Sequence, residues 1–364
     1  MEKHNRIGVL TGGGDCPGLN SVIRAVTKAA INKYGLEVVG FLDGFKGLVE
    51  NDYIPLDLKA VSGIGYRGGT ILGSSNRDNP FEYYSSQDGR RVATDQSDRA
   101  LANVENLGLD GLIVIGGDGS LHIGQRMFEK GLAVVGVPKT IDNDLSATDI
   151  TFGFNTAVDT ASSALDRLHT TAEAHHRVMI LEVMGRYAGW IALHAGISGG
   201  AHLILIPEIP YQIEHVIAKI RKRQWHGKKF SIIVVAEGAA PKGGEQVVQK
   251  MVAESHDPIR LGGIGQRLAQ EIEELTEIET RVTVLGHLQR GGSPIPYDRI
   301  LSARYGVAAV DAFASGQVGA MVSLKGQDII TVPIKEAIKE LKKVNPEGSM
   351  VEAARAIDIG FGDR

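Results

Sequence analysis

The sequence predicts an α/β fold with mainly parallel sheets. Three observations carry that reading: short apolar runs recur along the 364 residues, glycine or polar residues end each run, and helical patterns lie between them. The runs at 7–10, 38–42, 112–115, 133–137, 178–183, 203–206, 232–236 and 282–285 are too short for helices. They are also too continuously apolar for a sheet with one wet face. Strands buried on both faces read this way.

The elements follow in order. The run 7–10 ends in a glycine cluster, and a helical pattern over 20–34 follows, with Asn20 as its N-cap and Gly35 as its stop. After 38–42 and 112–115 comes a second glycine cluster, then a helix over 120–130 that stops at Gly131. A helix over 155–168 opens at Asn155 and separates the runs 133–137 and 178–183. A helix over 212–223 ends in basic residues, which suit the negative end of a helix dipole. The polar, glycine-punctuated stretch 238–279 reads as an insertion with a helix near 261–275. The tail after Gly326 has a Val332-Pro333 break and then a charged helix over 335–343. Strand, glycine turn, helix and strand repeat as in α/β proteins, whose ligands sit beyond the carboxyl ends of the strands.

Composition bounds the function. At ~150 residues per domain the length suggests two domains. The 39 lysines and arginines against 43 aspartates and glutamates leave a net charge of −4, which excludes a generally cationic nucleic-acid binder. The 46 glycines form clusters without a period, so the chain is not collagen-like and must make many tight turns. Cys16 is the only cysteine, which excludes a disulfide framework and a multi-cysteine metal site. No apolar stretch has signal-peptide or membrane-span length, so a reducing cytoplasm, away from membranes, is the expected compartment.

The chemistry gathers at the ends of the runs. Thr11-Gly12-Gly13-Gly14-Asp15 and Gly116-Gly117-Asp118-Gly119-Ser120 each open onto a helix, where backbone N–H groups and the dipole cradle phosphate. An empty strand-to-helix turn has the same spacing. No GxxxxGK[ST] occurs, which excludes a P-loop enzyme, and the one GxGxxG, at 63–68, follows no strong strand and opens no helix, so it reads as a loop. Asp118 inside an anion cradle suits a bridging Mg²⁺, which is favoured over the alternative of a helix cap. In Pro138-Lys139-Thr140-Ile141-Asp142-Asn143-Asp144 an extended chain puts both aspartates on one side, where a carboxylate could take a hydroxyl proton; a plain Asx-rich turn looks the same. Arg177, Arg186, Arg281 and Arg290 flank two strand runs, and guanidinium forks fit phosphate oxygens. His287 and Glu237, also at strand ends, could read sugar hydroxyls or phosphate. A cradle, a metal carboxylate, a base and arginines together describe phosphoryl transfer to an anionic acceptor.

TGGGDCPGLN at 11–20, GGDGS at 116–120, PKTIDND at 138–144, EVMGRYAG at 182–189 and LGHLQRGGSPIPYDR at 285–299 resemble the 6-phosphofructokinases, in the same order from about residue 6 to 315. The resemblance implies two doubly wound α/β domains with the active site in the cleft between them. It implies a nucleotide-binding domain over 1–140 with a returning segment near 260–315, a sugar-phosphate domain over 141–259, and a C-terminal extension over 316–364 packing on the body. It implies transfer from Mg-ATP to the 1-hydroxyl of fructose 6-phosphate, in homo-oligomers with shared sites. By position, Gly14, Gly117, Asp118, Gly119 and Ser120 would hold ATP, with Asp118 on Mg²⁺. Arg77 would join them, one place later than the family's arginine. Asp142 would be the base, with Lys139, Thr140 and Asp144 beside it, and Arg186 would stabilise the transferring group. Met184, Gly185, Glu237, His287, Gln289 and Arg290 would bind the sugar phosphate, with Arg177 and Arg281 reaching in from a neighbouring subunit. Lys139 is typical of pyrophosphate-using members and Gly119 of ATP-using ones, so a pyrophosphate-dependent transferase is the first alternative. A non-catalytic sugar-phosphate or nucleotide sensor is the second, and the intact Asp118, Asp142 and Arg186 argue against it.

Overall fold

The computed structural model describes residues 5–87, 90–251 and 258–364. Its strands, in chain order, are β1 (Arg6–Thr11), β2 (Glu37–Phe41), β3 (Tyr53–Leu56), β4 (Tyr83–Gln87), β5 (Arg90–Thr94), β6 (Gly111–Gly116), β7 (Val134–Pro138), β8 (Val178–Val183), β9 (Leu203–Leu205), β10 (Ser231–Ala236), β11 (Val248–Met251), β12 (Ile259–Leu261), β13 (Thr280–Val284), β14 (Ala320–Lys325) and β15 (Asp328–Pro333). Its helices are α1 (Leu19–Tyr34), α2 (Phe45–Glu50), α3 (Ser97–Asn106), α4 (Asp118–Glu129), α5 (Phe154–His175), α6 (Trp190–Ser198), α7 (Ile213–Trp225), α8 (Ile264–Thr276), α9 (Pro296–Ala314), α10 (Ile334–Ala337) and α11 (Ser349–Ala356).

Two sheets carry the fold. One has the order β15-β14-β7-β6-β1-β2-β3, the other β13-β8-β10-β9. The strands β1, β2, β6, β7 and β14 run parallel in the first, and all four run parallel in the second. Every residue of β6, β8 and β10 is buried, because helices cover both faces. Alternate residues feed different cores: Leu112 and Val114 enter one, Ile113 and Ile115 another. The core shared by both sheets also takes Leu181 of β8 and Val234 of β10, and α1, α9, α5 and α6 fill it. Each fully buried Ile, Leu or Val stabilises by roughly 1.5–3 kcal/mol. The carboxyl ends of β1, β6 and β7 therefore face those of β8, β10 and β13 across one opening.

The chain departs from the sequence reading in four places. Asn20 does not cap α1. Gly18 holds that position, and the Asn20 amide bonds the Arg67 and Gly68 carbonyls at 3.2 Å each, which pins the 63–68 loop. The helix from Phe154 runs on to His175, where His176 turns left-handed and ends it. The charged helix stops at Ala337. Beyond it Leu341 bridges Leu145, and the Lys342 N–H bonds the Asp144 carbonyl at 2.7 Å, so this stretch is drawn out along the 144–149 loop. The segment 260–315 does not return as one piece to the first unit: β13 is the edge of the second sheet, while α9 packs on α1. The stretch 316–364 lies on the body, with β14 paired to β7 inside the first sheet.

Candidate active site

Strand ends and the loops after them line an open cleft of about 1630 Å³. On one wall, β1 runs into the Gly12–Asp15 loop, where Gly12 N–H bonds the Ile115 carbonyl at 2.9 Å and Gly13 N–H the Ser75 carbonyl at 2.9 Å. β6 runs into α4, whose N-terminus at Gly117 has no side-chain cap, so its first N–H groups remain available to an anion. Gly116 is required here, because a Cβ would lie 2.3 Å from the Ser120 Cβ. Asp118 is the first helical residue, and its Oδ1 lies 3.3 Å from His122 Nδ1. Lys139 is buried, with Nζ donating to the Gly14 carbonyl. Burial pushes its ammonium down to about 8. Arg290 closes the cradle by donating to the Asp15 carbonyl at 3.1 Å.

The carboxylates stand at the end of β7. They do not alternate along an extended strand. The chain bends at 141–142 and turns left-handed at Asn143, φ 52°. Thr140 Oγ1 accepts the Asp142 N–H at 3.0 Å, and Asn143 Oδ1 accepts the Thr151 N–H at 3.1 Å. The bend still turns both aspartates into the cleft, and Oδ1 of each is buried with no hydrogen-bond partner. Burial, and then the Asp142 charge, holds the Asp144 carboxyl well above the usual carboxylate range.

The opposite wall comes from the second sheet. After β8, Met184 N–H donates to Gln289 Oε1 at 2.8 Å, and Arg186 N–H donates to Glu237 Oε1 at 3.2 Å. Burial first, then Asp142, pushes Glu237 up to about 7. Arg186 is left-handed, φ 46°, and its carbonyl lies so close to Gly238 that a Cβ there would sit 1.7 Å away. The 3₁₀ turn Gly286–Gln289 presents His287 to the cleft.

Most of the residues expected from the sequence line this one cleft: Gly14, Arg77, Gly117, Asp118, Gly119, Ser120, Lys139, Thr140, Asp142, Asp144, Met184, Arg186, Glu237, His287 and Arg290. Gln289 is buried behind the wall, where it holds Met184, and Gly185 is absent from the lining. Arg177 and Arg281 are not brought there within one chain. They lie at the amino ends of β8 and β13, opposite the cleft, where Arg177 Nε meets Glu279 Oε2 at 2.7 Å and Arg281 pairs with Glu279 and Glu273. The sequence reading missed Glu182, Leu341 and the β11–β12 hairpin, which brings Lys250 and Arg260 to the rim. Glu182 was detectable as a lone carboxylate in the apolar run VMILEV. Its oxygens accept the N–H groups of Gly263 at 2.9 Å and Gly265 at 2.8 Å, which fixes the start of α8 beside the second-sheet wall. No helix among the described residues is long and apolar enough to cross a membrane.

The family model described as Phosphofructokinase matches residues 6–313. ATP-dependent 6-phosphofructokinase 2 of Clostridium perfringens is 56% identical over 365 residues, covering 100% of both chains. Pyrophosphate–fructose 6-phosphate 1-phosphotransferase of Amycolatopsis methanolica is 52% identical, covering 94% of this chain and 97% of its own. Among solved structures, phosphofructokinase from Saccharomyces cerevisiae superposes with a TM-score of 0.76 at 30% identity, over 92% of this chain and 45% of its own.

Proposed function

The chain belongs to the phosphofructokinase family, and from that premise we infer that it is an ATP-dependent 6-phosphofructokinase, moving the terminal phosphoryl group of ATP to the 1-hydroxyl of fructose 6-phosphate. The observation that carries the roles of the residues is the pair of buried, unpartnered carboxylate oxygens of Asp142 and Asp144 beside a glycine cradle. Asp142 takes the proton of the attacking hydroxyl as its oxygen closes on phosphorus. Burial and then the Asp142 charge raise the Asp144 carboxyl, as expected of two carboxylates that share one site. Gly14, Gly117, Asp118, Gly119 and Ser120 hold the triphosphate through backbone N–H groups, Arg77 lies toward the nucleoside, and Lys139 and Arg186 offset charge on the transferring group. Met184, Gly185, Glu237, His287, Gln289 and Arg290 shape the sugar-phosphate side.

The residues fit Mg²⁺. Asp142 and Asp144 offer orphaned, acceptor-only oxygens, and Asp118 lines the same cleft. Among the described residues no three His, Cys, Asp or Glu side chains converge as a metal cage, and Mg²⁺ held by one or two carboxylates plus substrate phosphates needs none. When bound there it would neutralise phosphate charge as the transfer proceeds. Arg177 and Arg281 act on the sugar phosphate of a neighbouring subunit, in keeping with their distance from this chain's own cleft, so the active unit is a homo-oligomer. A second reading, with pyrophosphate as donor, is favoured by one observation: the Lys139 ammonium lies inside the cradle.

Asp142→Asn keeps the shape and removes the proton acceptor. Steady-state kinetics should show kcat lower by ~10²–10⁴ with the KM for fructose 6-phosphate little changed. Near wild-type kcat would remove Asp142 from the role of base.

A further inference from the structure

The stretch 341–344 puts Leu341 in the lining of the cleft and bonds the 143–149 loop on one side and the start of α6 on the other. Lys342 Nζ uses all three of its donors on the base loop: Asn143 Oδ1 at 3.0 Å, the Thr148 carbonyl at 2.9 Å and the Asp149 carbonyl at 2.8 Å. Its N–H holds the Asp144 carbonyl at 2.7 Å. On the other side its carbonyl accepts the Trp190 indole N–H at 2.8 Å, and its ammonium sits 5.7 Å from the centre of that ring. Two residues on, Val344 N–H donates to Glu208 Oε1 at 2.8 Å, the same carboxylate that takes the Gly189 N–H at 3.0 Å. Trp190 and Gly189 begin α6, which starts directly after the Arg186 loop.

Asn143 lies between the two aspartates, and its left-handed backbone makes the bend that aims them. Its side-chain oxygen is held by Thr151 on one side and Lys342 on the other. One short strap thus ties the carboxylates, which hang from the first sheet, to the arginine loop of the second. Transfer needs base, hydroxyl and phosphoryl group in register, and a misplacement of about 1 Å can cost ~10²-fold in rate.

We propose that Lys342 is a positioning residue for phosphoryl transfer: through Asn143 and Trp190 it holds the base loop in register with the Arg186 loop. The inference rests on Asp142 being the base. It predicts a defect in kcat rather than in substrate binding, and one that vanishes once the base is gone.

The test is a double-mutant cycle with Lys342→Met, which keeps the stem and removes the ammonium, in the wild-type and Asp142→Asn backgrounds. In wild type, kcat per folded active site should fall about 10- to 100-fold with both KM values within about 3-fold. In the Asp142→Asn background the same substitution should change kcat by less than about 2-fold. A thermal scan of each variant separates loss of fold from loss of rate. If Lys342→Met does not fold, Trp190→Phe replaces it in the same cycle, since it removes the indole donor and keeps an aromatic ring; its expected drop is about 3- to 10-fold. An equal loss in both backgrounds, or a rise in KM at unchanged kcat, overturns the role of the strap. Near wild-type kcat for Asp142→Asn alone is a different result, and it overturns the base assignment instead.

Discussion

Asp144 shows how a single carboxyl couples function to stability. Its pKa is raised in the folded protein, first by burial and then by Asp142. In the unfolded chain it ionises near the ordinary 3.8. As pH rises from 4 to 8 the unfolded chain releases this proton first, so the folded state loses stability across that window. Glu237, raised to about 7, adds to the same trend. Asp144→Asn removes one of the two contributions. In magnesium-free buffer its melting temperature relative to wild type should be higher at pH 8 than at pH 5. An equal or reversed difference in a thermal scan contradicts the burial account. At this scale the sequence showed the residues that end apolar runs, such as Asp142, Arg186, Glu237 and Arg290. It did not show what Gln289, Glu182 and Lys342 do. Their partners are Met184, Gly263 and Asn143, far along the chain, and only packing reveals those pairings.

Elements were legible to the extent that both their faces are buried. The runs that became β1, β6, β8 and β10 are continuous in apolar residues because helices cover both sides. β15, with only intermediate and exposed residues, and β11, exposed throughout, carry no such run. α9 was missed because α1 covers one side and β7 and β14 lie against others, which blurs the helical period. Junctions between elements carry the tightest constraint. Where β10 ends, Gly238 backs directly onto the Arg186 carbonyl. Gly238→Ala must push Arg186 and Glu237 apart. The value of kcat/KM for fructose 6-phosphate should fall by at least ~100-fold, with a melting temperature lower by only a few degrees. Wild-type kinetics in this variant would mean that the Arg186 loop does not need its present place.

At the scale of the molecule, two sheets face one cleft and the strap joins them. Arg177 and Arg281 lie at the far end of the second sheet, held by Glu279, and in the proposed shared site a second copy presents them to the cleft. Mixing Arg281→Ala with Asp142→Asn, each nearly inactive, should restore part of the activity after subunit exchange. No recovery in confirmed hybrids contradicts shared sites. The donor is the remaining choice, and Gly119 and Lys139 pull it in opposite directions. If the cradle holds ATP as proposed, a carboxylate at 119 would meet its phosphates, and two anions near 4 Å repel by roughly 4 kcal/mol at an effective dielectric of 20. Glycine leaves that place open, while a lysine can serve either donor, so Gly119 decides. Initial rates with saturating fructose 6-phosphate and saturating Mg-ATP or Mg-pyrophosphate test this most directly, in wild type and in Gly119→Asp. Wild type should turn over faster with ATP, and Gly119→Asp should lose more of its ATP rate than of its pyrophosphate rate. Faster wild-type turnover with pyrophosphate would contradict ATP as the donor.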